Sequence, residues 1–264
     1  MTPSLLPPGF LDLSGRSALV TGAGQGVGAA VARHLAACGA RVIVNDVVEA
    51  RARGIVAEIN ERAPTEAIAA RADVTSYDEV AAMVAASGPI DILVNNAGNA
   101  GTSDAFGSMT VPFWETPPSS WDGFLDVNLK GVMHVTHAVL PGMIERPHGR
   151  VVTIVSDAGR VGEARLAAYA AAKAGSAGFT RSTARAVARY GATANCISLG
   201  TVRSPEHDAA ADPDQDDNQL EHYLVRRFGT PNDVAGMVLL LASDSGSWIT
   251  GQTIAINGGF SFTL

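Results

Sequence analysis

Short apolar runs alternate with longer stretches of helical periodicity along nearly the whole chain. "SALVTGA" (17–23) is a buried run that ends in a glycine cluster. "GVGAAVARHLAACG" (26–39) follows, with Val27, Val31 and Leu35 at i, i+4 spacing and Gly39 placed to stop the helix. "RVIVND" (41–46) is the next strand, and a helix is expected over about 49–62. Then come "AIAARADV" (67–74), a helix from Ser76, and "IDILVNNAG" (90–98). A long helix is expected from near Ser120 to Glu145, followed by "GRVVTIVS" (149–156) and an alanine-rich helix over about 166–189. "TANCISLG" (193–200), "TPNDVAGMVLLLAS" (230–243) and "QTIAIN" (252–257) complete the series as strand, helix and strand.

Near-continuous apolar strands separated by helices predict a parallel sheet with both faces covered. The expected fold is α/β: one doubly wound, seven-stranded, Rossmann-type domain over 1–264, with 1–14 as an N-terminal extension. Two irregular stretches, 99–120 and 204–222, each follow a strand C-terminus. That is the edge where such sheets bind ligands, so both are read as substrate-side loops.

Composition narrows the function classes. The 264 residues carry a net charge of −7 and are 47% hydrophobic, enough for a large core. No basic stripe suggests nucleic acid or an anionic membrane. No apolar run is long enough to span a bilayer, and the first residues lack a signal-peptide pattern. A cytoplasmic location is therefore expected. Cys38 and Cys196 sit in apolar segments with no zinc-like spacing, so they read as small buried hydrophobes.

The turn "TGAGQGVG" (21–28) lies between a strand and a helix, the context a phosphate-binding glycine turn requires. Gly22 permits the turn, Gly26 lets the backbone approach a pyrophosphate, and Gly28 allows close packing of helix on strand. The helix N-terminus adds amide donors and a favourable dipole. The spacing differs from the common G-x-G-x-x-G. Asp46 closes the second strand, where a carboxylate can accept from both adenosine ribose hydroxyls and repel a 2′-phosphate. Nothing basic lies beside the turn in sequence; Arg51 and Arg53 could clamp a 2′-phosphate but fall inside the next helix. The cofactor reading is NAD over NADP.

Tyr169 and Lys173 are four apart on a helix and share a face. Ser156 closes a strand. With "TGAGQGVG", "ADV" (72–74), "NNAG" (95–98), "VNLKG" (127–131), "IVS" (154–156), "YAAAK" (169–173) and "GQTIAINGG" (251–259), the chain resembles the short-chain dehydrogenase/reductase family over nearly its whole length. A free tyrosine titrates near ~10, and bringing it to about 7 takes roughly 4 kcal/mol. One positive charge at ~5 Å and an effective dielectric of ~20 supplies about 3 kcal/mol. Lys173 with an oxidised nicotinamide ring is thus expected to make Tyr169 a base, while Ser156 orients the substrate oxygen. Lys173 can also hold the nicotinamide ribose.

The resemblance implies further roles. Asn128 would hold a water linking Lys173 to solvent. Asp73 and Val74 would flank the adenine, and Asn95, Ala97 and Gly98 the adenosine side and ribose. Val202 and Ser204 would meet the nicotinamide amide, and Gln25, Val27 and Val47 complete the expected cofactor surface. It also implies helix-built dimers or tetramers. Where the family usually has Pro-Gly after the sixth strand, this chain has Leu199-Gly200, from which a looser loop is expected.

Phe106, Met109, Phe113 and Trp114 in the first loop either pack it down or wall an apolar substrate pocket. Phe106, Phe113 and Trp114 are taken as substrate-binding. "HAVLPGMIERPHGRVVTIVSDAGRVG" (137–162) also resembles dehydrogenases of ring-bearing hydroxyacyl-CoA thioesters. The leading expectation is a bulky cyclic or polycyclic secondary alcohol or ketone. A CoA thioester would need basic surface, for which Arg160, Arg165 and Arg203 are candidates. A 3-oxoacyl-thioester reductase and a non-catalytic dinucleotide sensor or scaffold are the alternatives. His134 and His137 read as packing or interface residues rather than metal ligands, and no metal is expected.

Overall fold

The computed structural model describes residues 10–98, 112–146, 148–203 and 218–262. Its strands are β1 (Ser17–Val20), β2 (Arg41–Asp46), β3 (Ala67–Arg71), β4 (Ile92–Asn95), β5 (Gly149–Ser156), β6 (Ala192–Leu199) and β7 (Thr253–Ile256). They form one seven-stranded parallel sheet in the order β3-β2-β1-β4-β5-β6-β7. The helices are α1 (Gly26–Ala37), α2 (Glu49–Arg62), α3 (Tyr77–Ser87), α4 (122–144), α5 (Ala167–Val187) and α6 (Pro231–Ala242). No helix among the described residues is long and apolar enough to cross a membrane.

Side chains of one strand alternate between the two faces. Val20, Val42, Val44, Ile92 and Val94 pack on one face against Val31 and Leu35 of α1 and Val234 and Val238 of α6. Leu19, Ile43, Leu93 and Val151 face the other way, against Val80 of α3 and Val135, Val139 and Met143 of α4. Burial on both sides explains why the strands read as apolar runs rather than as alternating ones.

The chain stops the helices locally. Gly39 takes φ +96° after α1, and the Ala40 amide bonds the Leu35 carbonyl at 3.0 Å. Thr230 and Asp233 form a reciprocal capping box at the start of α6. The chain runs outward from β1 to β3, then returns to place β4 beside β1. This reversal opens a crevice at the strand C-termini, the position where open α/β sheets bind ligands.

Two elements depart from expectation. The third strand ends at Arg71 rather than Val74. The central helix is interrupted: regular turns at Asp122–Leu125 and Gly131–Ile144 flank a π-helical turn, Asp126–Lys130, which contains Asn128. Such turns are frequent at functional sites because the extra residue rotates the rest of the helix about its axis.

Candidate active site

The glycine turn lies over the crevice between β1 and β4. A Cβ at Gly28 would lie 2.4 Å from the Gly22 carbonyl oxygen, and one at Gly22 would lie 2.8 Å from the Ala97 Cα. Side chains there would force helix and strand apart. Gly26 takes φ +54° with open space where a side chain would stand. No side chain caps the N-terminus of α1, so its first-turn amides are left for an anionic ligand. Beyond the turn is a cleft of about 530 Å³, whose walls include Gln25, Val27, Asp46, Val47, Asp73 and Val74. These features fit a dinucleotide.

Asp46 is buried, and each carboxylate oxygen accepts a backbone amide: Gly24 at 3.0 Å and Val48 at 2.9 Å. Two accepted bonds leave lone pairs free on the same group. Arg51 corrects the expectation that nothing basic lies beside the turn. It lines the cleft, and its Cβ would lie 2.5 Å from a Cβ on Gly24. The first turn of α2 folds it back beside Asp46. Arg53 points elsewhere and pairs with Glu49 at 2.6 Å.

Asn95 does not line this cleft. It is buried, and its amide donates to Thr136 on α4 at 2.9 Å. Asn96 takes the wall position with Ala97 and Gly98. Its amide donates to the Thr21 and Gly22 carbonyls, both at 3.0 Å, and so fixes the glycine turn from β4. The doublet in "NNAG" carried the signal, but not which asparagine faced inward. Asp73 braces its own turn through Thr75, and the Val74 carbonyl meets His134 Nδ1 at 3.0 Å.

The sheet edge brings Ser156, Tyr169, Lys173 and Asn128 together. Ser156 is the last residue of β5, and its hydroxyl hydrogen-bonds Tyr169. Lys173 Nζ lies 5.8 Å from the Tyr169 ring centre and donates to the Ile154 carbonyl at 3.0 Å. Asn128 is fully buried in the π-helical turn, where its main-chain oxygen accepts from Ser176 at 2.6 Å. A Cβ at Gly98 would lie 2.9 Å from Asn128 Oδ1 and 3.0 Å from Lys173 Nζ. The cleft and the polar cluster therefore meet at Gly98.

Burial shifts both groups of the expected base in the chain without cofactor. Burial pushes the Tyr169 hydroxyl above the usual tyrosine range, and its bond to Ser156 only partly offsets this. Burial also brings Lys173 down to about 8. Both shifts belong to the chain without cofactor, whereas the expected base also draws on the charge of an oxidised nicotinamide ring.

The lysine shift makes stability pH-dependent. With its folded pKa below the unfolded value, Lys173 binds fewer protons in the native state between about 8 and the ordinary lysine range. Its contribution to stability therefore rises with pH across that window, and its burial cost is full below it. Lys173→Met should be more stable than wild type at pH 7 without cofactor, and that advantage should shrink toward pH 10. Urea unfolding of both proteins at several pH values measures it; a pH-independent difference contradicts the assignment.

The expected substrate residues divide. Phe113 stacks on Trp121 with ring centres 5.1 Å apart. Both border a narrow hollow with Phe124, Arg165, Leu166 and Tyr169. Trp114 does not join them: it is 82% exposed, because the 3₁₀ turn Phe113–Glu115 directs the two aromatics apart. Trp121 and Phe124 were missed, since they lie in what reads as the start of the long helix. Phe106, Met109 and Ser204 lie outside the described residues.

Val202 pairs with Gly229 beside β6 and lines a separate hollow next to Tyr223. After Leu199 the first residues of the loop are held by hydrogen bonds, and residues 204–217 lie outside the described residues. Gly200 N–H bonds Ile256, and the Tyr223 hydroxyl accepts from the Thr201 amide at 2.8 Å. Of the three basic candidates, Arg160 is tied to Asp157 at 2.8 Å and the Arg203 guanidinium lies 4.0 Å from the Phe228 ring centre. Arg165 stays exposed at the hollow beside Tyr169. His137 meets the Tyr77 hydroxyl at 2.8 Å. No cluster of three or more potential metal ligands occurs among the described residues.

The chain is similar to known proteins over nearly its whole length. A family model described as enoyl-(acyl carrier protein) reductase matches residues 22–261. The chain is 38% identical over 249 residues to a 3-oxoacyl-[acyl-carrier-protein] reductase of Staphylococcus epidermidis, covering 92% of this chain and 98% of that one. Among solved structures, a Brucella melitensis 3-oxoacyl-[acyl-carrier protein] reductase with bound NAD is similar at TM-score 0.87 and 30% identity, covering 100% and 99%. A 7α-hydroxysteroid dehydrogenase complexed with NADH and 7-oxoglycochenodeoxycholic acid is similar at TM-score 0.88 and 30% identity, covering 97% and 98%. The glycine turn, the seven-stranded parallel sheet and the joined Ser156, Tyr169 and Lys173 sit in a chain that belongs to the short-chain dehydrogenase/reductase family, oxidoreductases that use a nicotinamide cofactor on CH–OH groups.

Proposed function

We propose that this protein reduces the ketone of a 3-oxoacyl thioester, reversibly, with NADH. The observation that carries the reading is the meeting of Ser156, Tyr169 and Lys173 with the cofactor cleft at Gly98, in a chain whose relatives include 3-oxoacyl-[acyl-carrier-protein] reductases; a tyrosine hydroxyl is a donor at neutral pH. Reduction needs a proton delivered to the carbonyl oxygen as hydride reaches the carbon, and Tyr169 is placed to deliver it. Ser156 donates to the same oxygen and holds it in the plane of attack. Lys173 fixes the nicotinamide ribose and, with Asn128, connects Tyr169 to a source of protons. The bound nicotinamide supplies the hydride.

The thioester reading is supported by the reductase relatives and by Arg165. Phe113, Trp121, Phe124 and Leu166 offer an acyl chain an apolar wall beside Tyr169, and Arg165 next to them offers a cation to the phosphorylated arm of a carrier. NAD rather than NADP is supported by Asp46, whose carboxylate lines the cleft with lone pairs to spare. The cyclic-alcohol reading keeps one supporting observation, the stacked Phe113 and Trp121, which would also pack on a ring system. A homo-oligomer, dimer or tetramer, in the cytoplasm remains part of the proposal.

Turnover of NADH with a 3-oxoacyl-CoA thioester, a cyclic ketone, a steroid ketone and a keto-sugar tests this. The thioester should show the highest kcat/KM and the sugar the lowest, because an apolar wall leaves sugar hydroxyls desolvated. A cyclic ketone that outperforms the thioester transfers the assignment to the cyclic-alcohol reading. A keto-sugar that outperforms both overturns each of them.

A further inference from the structure

We propose that Asp157 is a positioning residue for Ser156, which it holds by pinning the turn after β5 to β6 and to the C-terminal segment 257–262. This rests on the proposed role of Ser156.

Asp157 directly follows Ser156 and is 2% exposed. Its carboxylate accepts four donors. Oδ1 takes the Ser198 hydroxyl at 2.6 Å and the Arg160 guanidinium at 2.8 Å. Oδ2 takes the Asn257 amide at 2.6 Å and the Ser261 hydroxyl at 2.7 Å. Two carboxylate oxygens offer about four lone-pair sites, so this group is saturated. It has no lone pair left for substrate or for proton transfer, which leaves it a holding function.

The donors come from separate elements. Ser198 is on β6, Asn257 just beyond β7, Ser261 in the C-terminal segment, and Arg160 in the helical turn Ala158–Val161. The Asp157 amide also donates to the Leu199 carbonyl at 2.9 Å. Arg160 continues the network to Ser261 and to the Phe262 carbonyl, at 3.2 and 3.1 Å. Asp157 is thus the point at which β5, β6, the turn and the chain end are pinned.

That pin sets the serine. The turn that begins at Asp157 aims the Ala158 amide at Ser156 Oγ, 3.2 Å away. With that amide donating to Oγ, the serine proton is directed outward, to Tyr169 or to a substrate oxygen. If the carboxylate is lost, the turn, the amide and the hydroxyl direction loosen together. A misplacement of about 1 Å at such a site costs about 100-fold in rate.

The test is a double-mutant cycle on kcat, with melting temperature and NAD affinity measured for every variant. Wild-type turnover, measured first, tests the dehydrogenase reading by itself. Asp157→Asn should then lower kcat about 100-fold with unchanged NAD affinity. In a Ser156→Ala background the same change should cost less than about threefold, because residues that act through one another are not additive. Equal losses in both backgrounds, or no loss in the first, overturn the proposal. Removing the carboxylate leaves Arg160 unpaired, so Asp157→Asn can fail to fold. Ser261→Ala keeps the ion pair and removes one donor. It should give a smaller kcat loss that again vanishes in the Ser156→Ala background, and an unchanged kcat in the Ser156 background overturns the proposal.

Discussion

Tyr169→Phe is expected to lower kcat about 10³-fold, within the range set by general acid–base catalysis, while the Kd for NAD stays within about threefold of wild type. The substitution removes only the hydroxyl. The ring keeps its edge-to-face packing on Phe124, with centres 6.5 Å apart, and the glycine turn proposed to hold the dinucleotide lines the separate cleft that meets this cluster at Gly98. Burial holds the hydroxyl protonated, so the reductive rate should be insensitive to pH through neutrality. Steady-state kinetics and fluorescence titration with NADH measure the two quantities. A variant retaining more than about a tenth of wild-type kcat would remove Tyr169 from proton transfer.

A preference for NAD over NADP of at least ~100-fold in kcat/KM, about 2.7 kcal/mol, is the second large effect expected. The 2′-phosphate would be placed against a buried carboxylate fixed by two backbone amides. At ~5 Å and an effective dielectric of ~20, two like unit charges repel by about 3 kcal/mol. Arg51 lines the same cleft and opposes that repulsion, but its side chain is exposed and screened. Asp46→Ala should therefore shrink the ratio and Arg51→Ala should widen it. Dissociation constants for NADH and NADPH give the same comparison without turnover. Equal kcat/KM for the two cofactors in wild type contradicts the role of Asp46.

Features that depend on neighbours in sequence were legible from the sequence. Apolar runs of strand length between helical periodicities dictated a parallel sheet with both faces covered. Tyr169 and Lys173 share a face because a helix brings i and i+4 together, and Gly28 is required wherever a helix must touch the strand before it. The order of these motifs was enough to identify the family, and it singled out the glycine turn and Ser156, Tyr169 and Lys173 as the candidate site.

What only the tertiary structure decided depends on residues far apart in the chain. Asn95 and Asn96 are equivalent in sequence. The strand's alternation sends Asn95 under α4 to Thr136, which leaves Asn96 to hold the glycine turn. Arg51 reads as a remote helix residue until α2 folds back beside Asp46. The π-helical turn at Asn128 breaks a periodicity that runs through it unmarked. Asp157 looks like any polar residue after a strand, and its donors lie up to 104 positions away. The direction of the Tyr169 and Lys173 shifts belongs to the same group. A spacing fixes which charges can approach, but desolvation depends on everything packed around them, and that is a property of the assembled fold.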